Sequence, residues 1–251
     1  MNTGSRTRNT VLSLAILGFV AVCVLMQPAT AQMPPLMSQG LTMTETTTAN
    51  GKTTTSTNFF SGNAVKRSSP EGQDSIIRFD QEKIVTVDNK KKTYSEITFK
   101  QLQEMMEKVS SAMPQDAEAM AAMKKIMGGS SAPLTVSKQG AGETVAGYAT
   151  QKYLVTGPFE MEIWAAPELK LPPAYYDAIK MRLPANPVLD LGKMYDAFKQ
   201  IDGMAMKTVL KMKVMSMSMT TSTEVTSVQK GAIAPATFEV PAGYKLVQEK
   251  F

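Results

Sequence analysis

Histidine is absent from all 251 residues, and the single cysteine, Cys23, stands near the amino terminus. Without them the chain has no Ser-His or Cys-His nucleophile pair, none of the usual zinc ligands and no general base titrating near neutral pH. A carboxylate pair or a lysine is all that remains for catalysis, and no spacing in the sequence suggests either. The chain is therefore expected to be non-enzymatic, with no cofactor. An excess of one charge is lacking too, with 27 basic residues against 22 acidic ones. That balance is too mild, and too evenly interleaved, to argue for nucleic acid. The only compact basic run, Lys90-Lys91-Lys92, reads as a solvated hairpin tip. Phosphate-binding glycine loops and calcium loops are missing; Gly140-x-Gly142 with Gly147 lacks dinucleotide-binding spacing and opens a strand.

One long apolar run is present, from Val11 through Met26. Arg6 and Arg8 precede it, and Ala29-Thr30-Ala31 supplies a small-x-small cleavage pattern behind it. Residues 1–31 are expected to be a signal peptide cut after Ala31, which makes the working protein periplasmic or otherwise exported. An uncleaved anchor is the alternative, since the run approaches bilayer-spanning length; the cleavage pattern favours removal. Val22 stands where a lipid-attachment site wants a small residue, so Cys23 is not read as one. Removal takes two arginines and no acid, so the net charge of +5 becomes +3. The remaining chain, from Gln32 to Phe251, would carry no thiol and is long enough to build one domain with an ample core.

From Leu41 the pattern is strand after strand. Leu41–Thr48 and Lys52–Phe60 flank Asn50-Gly51, a two-residue hairpin signal. Both arms are polar on both faces, which suggests partial exposure or an edge position. Ser75–Asp80 is a further candidate, and Lys83–Val87 with Thr93–Phe99 form a hairpin. The period then becomes helical at Leu102, Met105, Met106, Val109 and Met113, and again at Ala117, Met120, Met123 and Met127. A Met-rich helical insertion over about 101–128 follows from this. Strands resume at Leu134–Lys138, Glu143–Val155 and Phe159–Ala165, and short helices are expected at Pro172–Arg182 and Leu189–Gln200. Strands Met204–Val214 and Ser216–Val228 and a short terminal piece ending at Val247 complete the chain. Some eight to ten strands in sequential hairpins point to an α+β domain over 32–251: a curved antiparallel sheet with covering helices.

The stretch Gly142-Glu143-Thr144-Val145-Ala146-Gly147-Tyr148-Ala149-Thr150-Gln151-Lys152-Tyr153, then Glu162-Ile163-Trp164-Ala165, and the ending Phe238-Glu239-Val240-Pro241-Ala242-Gly243-Tyr244 carry a resemblance. With Ile77-Arg78-Phe79-Asp80 and Lys92-Thr93-Tyr94 they resemble an uncharacterised family of exported bacterial proteins, the domain of unknown function four-four-one-two. That family looks related to the lipoprotein carriers LolA and LolB. The resemblance implies a half-barrel closed by helices over an apolar cavity, and supplies no residue of established role. Structural duties account for the shared residues: Gly147 permits a strand bulge or close approach, Pro241 and Gly243 set a turn, and Tyr244 packs on the sheet. Trp164, out of phase with Met161 and Ile163, is expected on the opposite face beneath a helix.

Eighteen of the twenty methionines follow the leader, and three accounts of them compete. The first is ordinary core filling. The second is an adaptable lining for an apolar ligand such as a lipid or acyl chain. Its candidate residues are Met105, Met106, Met120 and Met123 on the helices, and Met161, Ile163, Met206, Leu210, Met215 and Met217 on the strands. Period two would align Met204, Met206, Leu210 and Met212 in one row, interrupted by Thr208. The third is soft-metal binding by Met215-x-Met217-x-Met219, opposed by the spacing of about 6–7 Å between alternate strand residues. The second account gives the functional expectation: a carrier whose partner is a lipid or a lipidated protein, with transient membrane contact. An envelope structural or protein-interaction module, binding through sheet edges and with a fully packed core, is the alternative.

Overall fold

The computed structural model describes residues 40–111, 116, 118, 134–157, 159–170, 196–214 and 217–248, with backbone only at 109–110, 213–214 and 217. Twelve strands form one sheet: β1 (Leu41–Ala49), β2 (Lys52–Ser61), β3 (Ala64–Ser68), β4 (Gln73–Arg78), β5 (Lys83–Asp88), β6 (Thr93–Thr98), β7 (Thr135–Ala141), β8 (Gln151–Thr156), β9 (Glu160–Ala166), β10 (Met204–Val214), β11 (Met217–Lys230) and β12 (Lys245–Leu246). Their order across the sheet is β12-β6-β5-β4-β3-β2-β1-β11-β10-β9-β8-β7. All neighbours run antiparallel except β12, which lies parallel to β6. Among the described residues the outer strands β7 and β12 do not meet, and the sheet is open.

Two meanders, β1–β6 and β7–β11, are joined where β1 pairs with β11. The Thr-rich arms β1 and β2 therefore lie inside the sheet, which corrects the edge position, while the expected partial exposure holds at the hairpin end of β2. Burial there is compatible with polar side chains because those chains bond to one another across the strands, as described below. The hairpin between them turns on Asn50 and Gly51, both with positive φ (51° and 75°), the geometry that matches strand twist. The sequence expectation missed β3. It also extended β8 too far: residues 142–150 form a turn closed by mutual backbone bonds between Val145 and Tyr148. Ala146 and Gly147 have φ of 50° and 85° there, so Gly147 serves a turn rather than a strand bulge.

Helix α1 (Phe99–Ser111) begins where the helical period was read. Thr98 and Gln101 cap it reciprocally: the Gln101 amide donates to Thr98 Oγ1 (3.1 Å), and the Thr98 amide donates to Gln101 Oε1 (2.9 Å). The second half of the expected insertion, apart from Asp116 and Glu118, lies outside the described residues, as do residues 1–31 and most of the two later helices, of which a helical turn at 196–198 is described.

Three apolar clusters hold the sheet. Consecutive residues divide between two of them: Phe60, Val65 and Ile77 join one, and Phe59, Ala64 and Ile76 the other. Alternation along strands puts these clusters on opposite faces. The first gathers Leu41, Met43, Phe60, Val65 and Phe79 from the first meander with Met204, Met206 and Val225 from the second. On the other face, Phe238, Val240 and Tyr244 cover Ile76, Val85 and Val87, and the Tyr244 hydroxyl bonds Asn89 Oδ1 at 3.0 Å. That cover is the 3-10 turn Pro235–Phe238 and the extended chain after it. Among the described residues helices are few, so the expected helical covering is met only in small part.

Candidate functional site

The register of the first hairpin places Leu41 opposite Phe60, Met43 opposite Asn58 and Glu45 opposite Ser56. On the next strand Asn58 faces Arg67. Paired residues share a face, so Glu45, Ser56, Asn58 and Arg67 form a polar group at the centre of the sheet, bordered by Met43 and Phe60. Glu45 is 1% exposed and Asn58 2%. The Arg67 guanidinium donates from Nη1 to Glu45 Oε1 and from Nη2 to Ser56 Oγ at 3.2 Å. A buried carboxylate is tolerable in this form, with an opposite charge and bonds that answer its lone pairs. One donor is left over: the side-chain Nδ2 of Asn58 is buried with no hydrogen-bond partner among the described residues. Next to this group, Thr47 Oγ1 and Thr223 Oγ1 lie 3.0 Å apart across the seam between the two meanders.

The methionine candidates are divided among several places. Met161, Ile163 and Leu210 are buried together with Tyr153, Val155 and Phe198, and Met212 packs against them. Met206 belongs with Met204 and Met43 in the first cluster. The expected single row from Met204 to Met212 is thus broken. Its physical cause is a shift of the β9–β10 register between Ala205 and Lys207, which interrupts the two-residue period. Met105 and Met106 are half-buried on α1 and join none of the three clusters. Met120, Met123 and Met215 lie outside the described residues, as does the side chain of Met217. The backbone of Met217 pairs with Val214, and Met219 faces Met212.

Trp164 does leave the face of Met161 and Ile163. Among the described residues its cover is charged and local. The Nζ atoms of Lys152 and Lys207 stand 4.6 and 5.3 Å from the ring centroid. A Cβ on Gly142 would strike the ring at Cδ1, so the turn before β8 passes directly over it. Around the ring, Lys152 pairs with Glu162 (3.1 Å), and Lys207 with Glu143 (2.7 Å) and Glu224 (3.1 Å). Lys211 pairs with Glu160 at 2.7 Å, so both glutamates of β9 are matched by lysines. Hydrogen bonding to Glu143 raises the Lys207 pKa, with Glu224 adding to the effect. Each of these charges has a partner of opposite sign, which suits solvent better than a charged ligand.

The polar group of Glu45, Ser56, Asn58 and Arg67 escaped the sequence reading. A two-residue turn at Asn50-Gly51 fixes the register, so the pairing of Met43 with Asn58 could have been counted from the turn.

A family model described as a domain of unknown function (DUF4412) matches residues 39–244, nearly the whole sheet. The chain belongs to this family. The DUF4412 segment thus includes the polar group, the Trp164 turn and the covering segment up to Tyr244. No curated protein matches the sequence. Among solved structures, the chain is similar to an uncharacterized conserved protein from Thermus thermophilus, at 9% identity and TM-score 0.45, over 94% of this chain and 99% of that one. It is similar to MucB in the Pseudomonas aeruginosa MucA/MucB complex, at 11% identity and TM-score 0.43, over 85% and 59%. It is also similar to PNGF-II, at 13% identity and TM-score 0.39, over 84% of this chain and 31% of that one. The chain therefore spans under a third of PNGF-II and about three-fifths of MucB.

Proposed function

We propose that this DUF4412 protein is an exported, non-enzymatic carrier that binds an apolar ligand, a lipid or the acyl chains of a lipidated protein, against one face of the sheet. The supporting observation is the buried cluster that joins Met43, Phe60 and Met206 beside a buried polar group. Methionines repack around differently shaped tails, and a polar group at the border suits a head. The absence of histidine, the leader pattern in 1–31 and the carrier relationship implied by the sequence resemblance support the same reading.

Native mass spectrometry of the chain from Gln32, purified from its own envelope, tests it. The expected result is an added mass of lipid size that disappears on organic extraction, and renewed binding of the apolar reporter N-phenyl-1-naphthylamine by the extracted chain. A bare mass together with no reporter binding would overturn the carrier.

A second reading has one observation in its favour. Among the described residues strand β7 pairs only with β8, and it is exposed along nearly its whole length. Its outer edge offers backbone donors and acceptors to an added strand. This interaction module becomes the better account if the reporter fails to bind.

A further inference from the structure

We propose that Asn58 is the anchor for the carbonyl oxygen of an uncharged acyl ester, a subsite that rests on the carrier reading and narrows its ligand. The side chain is 2% exposed, and its Nδ2 donor has no partner among the described residues. A buried donor without an acceptor costs free energy in the empty protein, and an incoming oxygen recovers it. The surroundings define that oxygen. Met43 and Arg67 stand directly across from Asn58 on the two neighbouring strands, and Ser56 and Phe60 flank it along its own face. Two of these neighbours are apolar and belong to the buried cluster that contains Met206, so a tail anchored at Asn58 would lie among apolar side chains.

Charge decides between ester and carboxylate. Among the described residues the cation paired across from Asn58 is Arg67, and its guanidinium already binds Glu45 and Ser56. A ligand carboxylate would enter a buried site beside the Glu45 carboxylate with no free cation to meet it. A neutral carbonyl needs only one donor, and Asn58 supplies it. Ser56 Oγ accepts from Arg67, and Asn58 Nδ2 is the side-chain donor of the group that is buried without a partner among the described residues.

Displacement of N-phenyl-1-naphthylamine, which has no carbonyl, from the extracted chain separates the possibilities. The competitors are methyl laurate, the laurate anion at pH 8 and dodecane. Asn58→Leu is expected to weaken methyl laurate about tenfold while changing the reporter, laurate and dodecane less than about twofold. In the wild type, methyl laurate should displace the reporter at a lower concentration than the laurate anion. An unchanged methyl laurate affinity in Asn58→Leu, or a wild-type preference for laurate, overturns the anchor. Circular dichroism checks folding. If the leucine variant fails to fold, Asn58→Val gives the same reading with a side chain suited to a strand. Failure of the reporter to bind the wild type sinks the carrier and the anchor together. Reporter binding without ester discrimination sinks the anchor alone, and a water molecule on Asn58 is then the better account.

Discussion

At the scale of the residue, the Glu45–Arg67 pair is the most exacting feature of the sheet. Glu45 is 1% exposed while Arg67 retains 21%, so the carboxylate depends on the arginine far more than the reverse. Arg67→Met leaves the charge buried and unpaired, and should destabilise the chain by about 3–5 kcal/mol. Adding Glu45→Leu removes the stranded charge and should restore most of that loss, since an apolar pair of similar volume often equals a buried ion pair. Urea denaturation of both variants checks this. If the single variant loses less than about 1 kcal/mol, the pair behaves as a surface salt bridge and its burial is not structural. A polar strand alone gives no sign of this pair. β1 reads as threonines around one glutamate, and only the cross-strand partner shows that the glutamate is matched. The residues were readable, but their pairing needed both the count from Asn50-Gly51 and the strand β3 that carries Arg67, which the sequence did not announce.

At the scale of the element, β9 and β10 carry opposite chemistry on their two faces, with Met161, Ile163 and Leu210 inward and lysine–glutamate pairs around Trp164. The alternation in β9 was legible because strand period two holds throughout it. The break in β10 was not, since Ala205-Met206-Lys207 contains no glycine or proline to mark a bulge. Lys207 gives this face a pH signature. Its folded pKa is raised, chiefly by the hydrogen bond to Glu143. Its contribution is therefore complete below the unfolded value of about 10.4 and disappears as pH rises through the higher folded value. Wild-type stability should fall in that alkaline window, and Lys207→Met should flatten the decline. Both glutamate partners are about half exposed, so the effect is at most about 1 kcal/mol and shrinks with salt. Urea midpoints taken at low salt on either side of that window measure it. Equal slopes in the two proteins would remove Lys207 from the account. At the acid end, Asp80 is held below its ordinary range by its hydrogen bonds from Arg78. The sign reverses there, and its contribution is lost as pH falls through the depressed value.

At the scale of the whole molecule, the seam between β1 and β11 determines whether the two meanders behave as one unit. Hairpins such as β5–β6 were legible because their turns lie between their strands. The seam pairs residues far apart in the chain, with Thr226 bonding Thr44 across 182 positions, and no local signal announces it. Sequential hairpins alone therefore suggested fewer strands, and the polar faces of β1 and β2 suggested partial exposure or an edge. The apolar cluster crosses the seam, with Leu41, Met43 and Phe60 packed beside Met206 and Val225, so a single cooperative transition is expected. A disulfide offers the test, because the chain from Gln32 has no cysteine of its own. Thr47 and Thr223 are paired in register with their hydroxyls 3.0 Å apart, which brings their Cβ atoms to cross-strand distance. Thr47→Cys with Thr223→Cys closes a loop spanning 176 positions, for which the chain-entropy model gives about 5 kcal/mol. Strain and the lost hydroxyl bond reduce that, so a gain of about 2–4 kcal/mol is expected on oxidation and should vanish on reduction. Urea unfolding followed by circular dichroism and by Trp164 fluorescence should shift together, because Trp164 lies in the second meander and reports it separately. If only the circular dichroism transition moves, the meanders unfold independently and the seam is a docking contact. If both move together, the cluster across β1 and β11 is the common core on which any ligand site at Met43 and Asn58 depends.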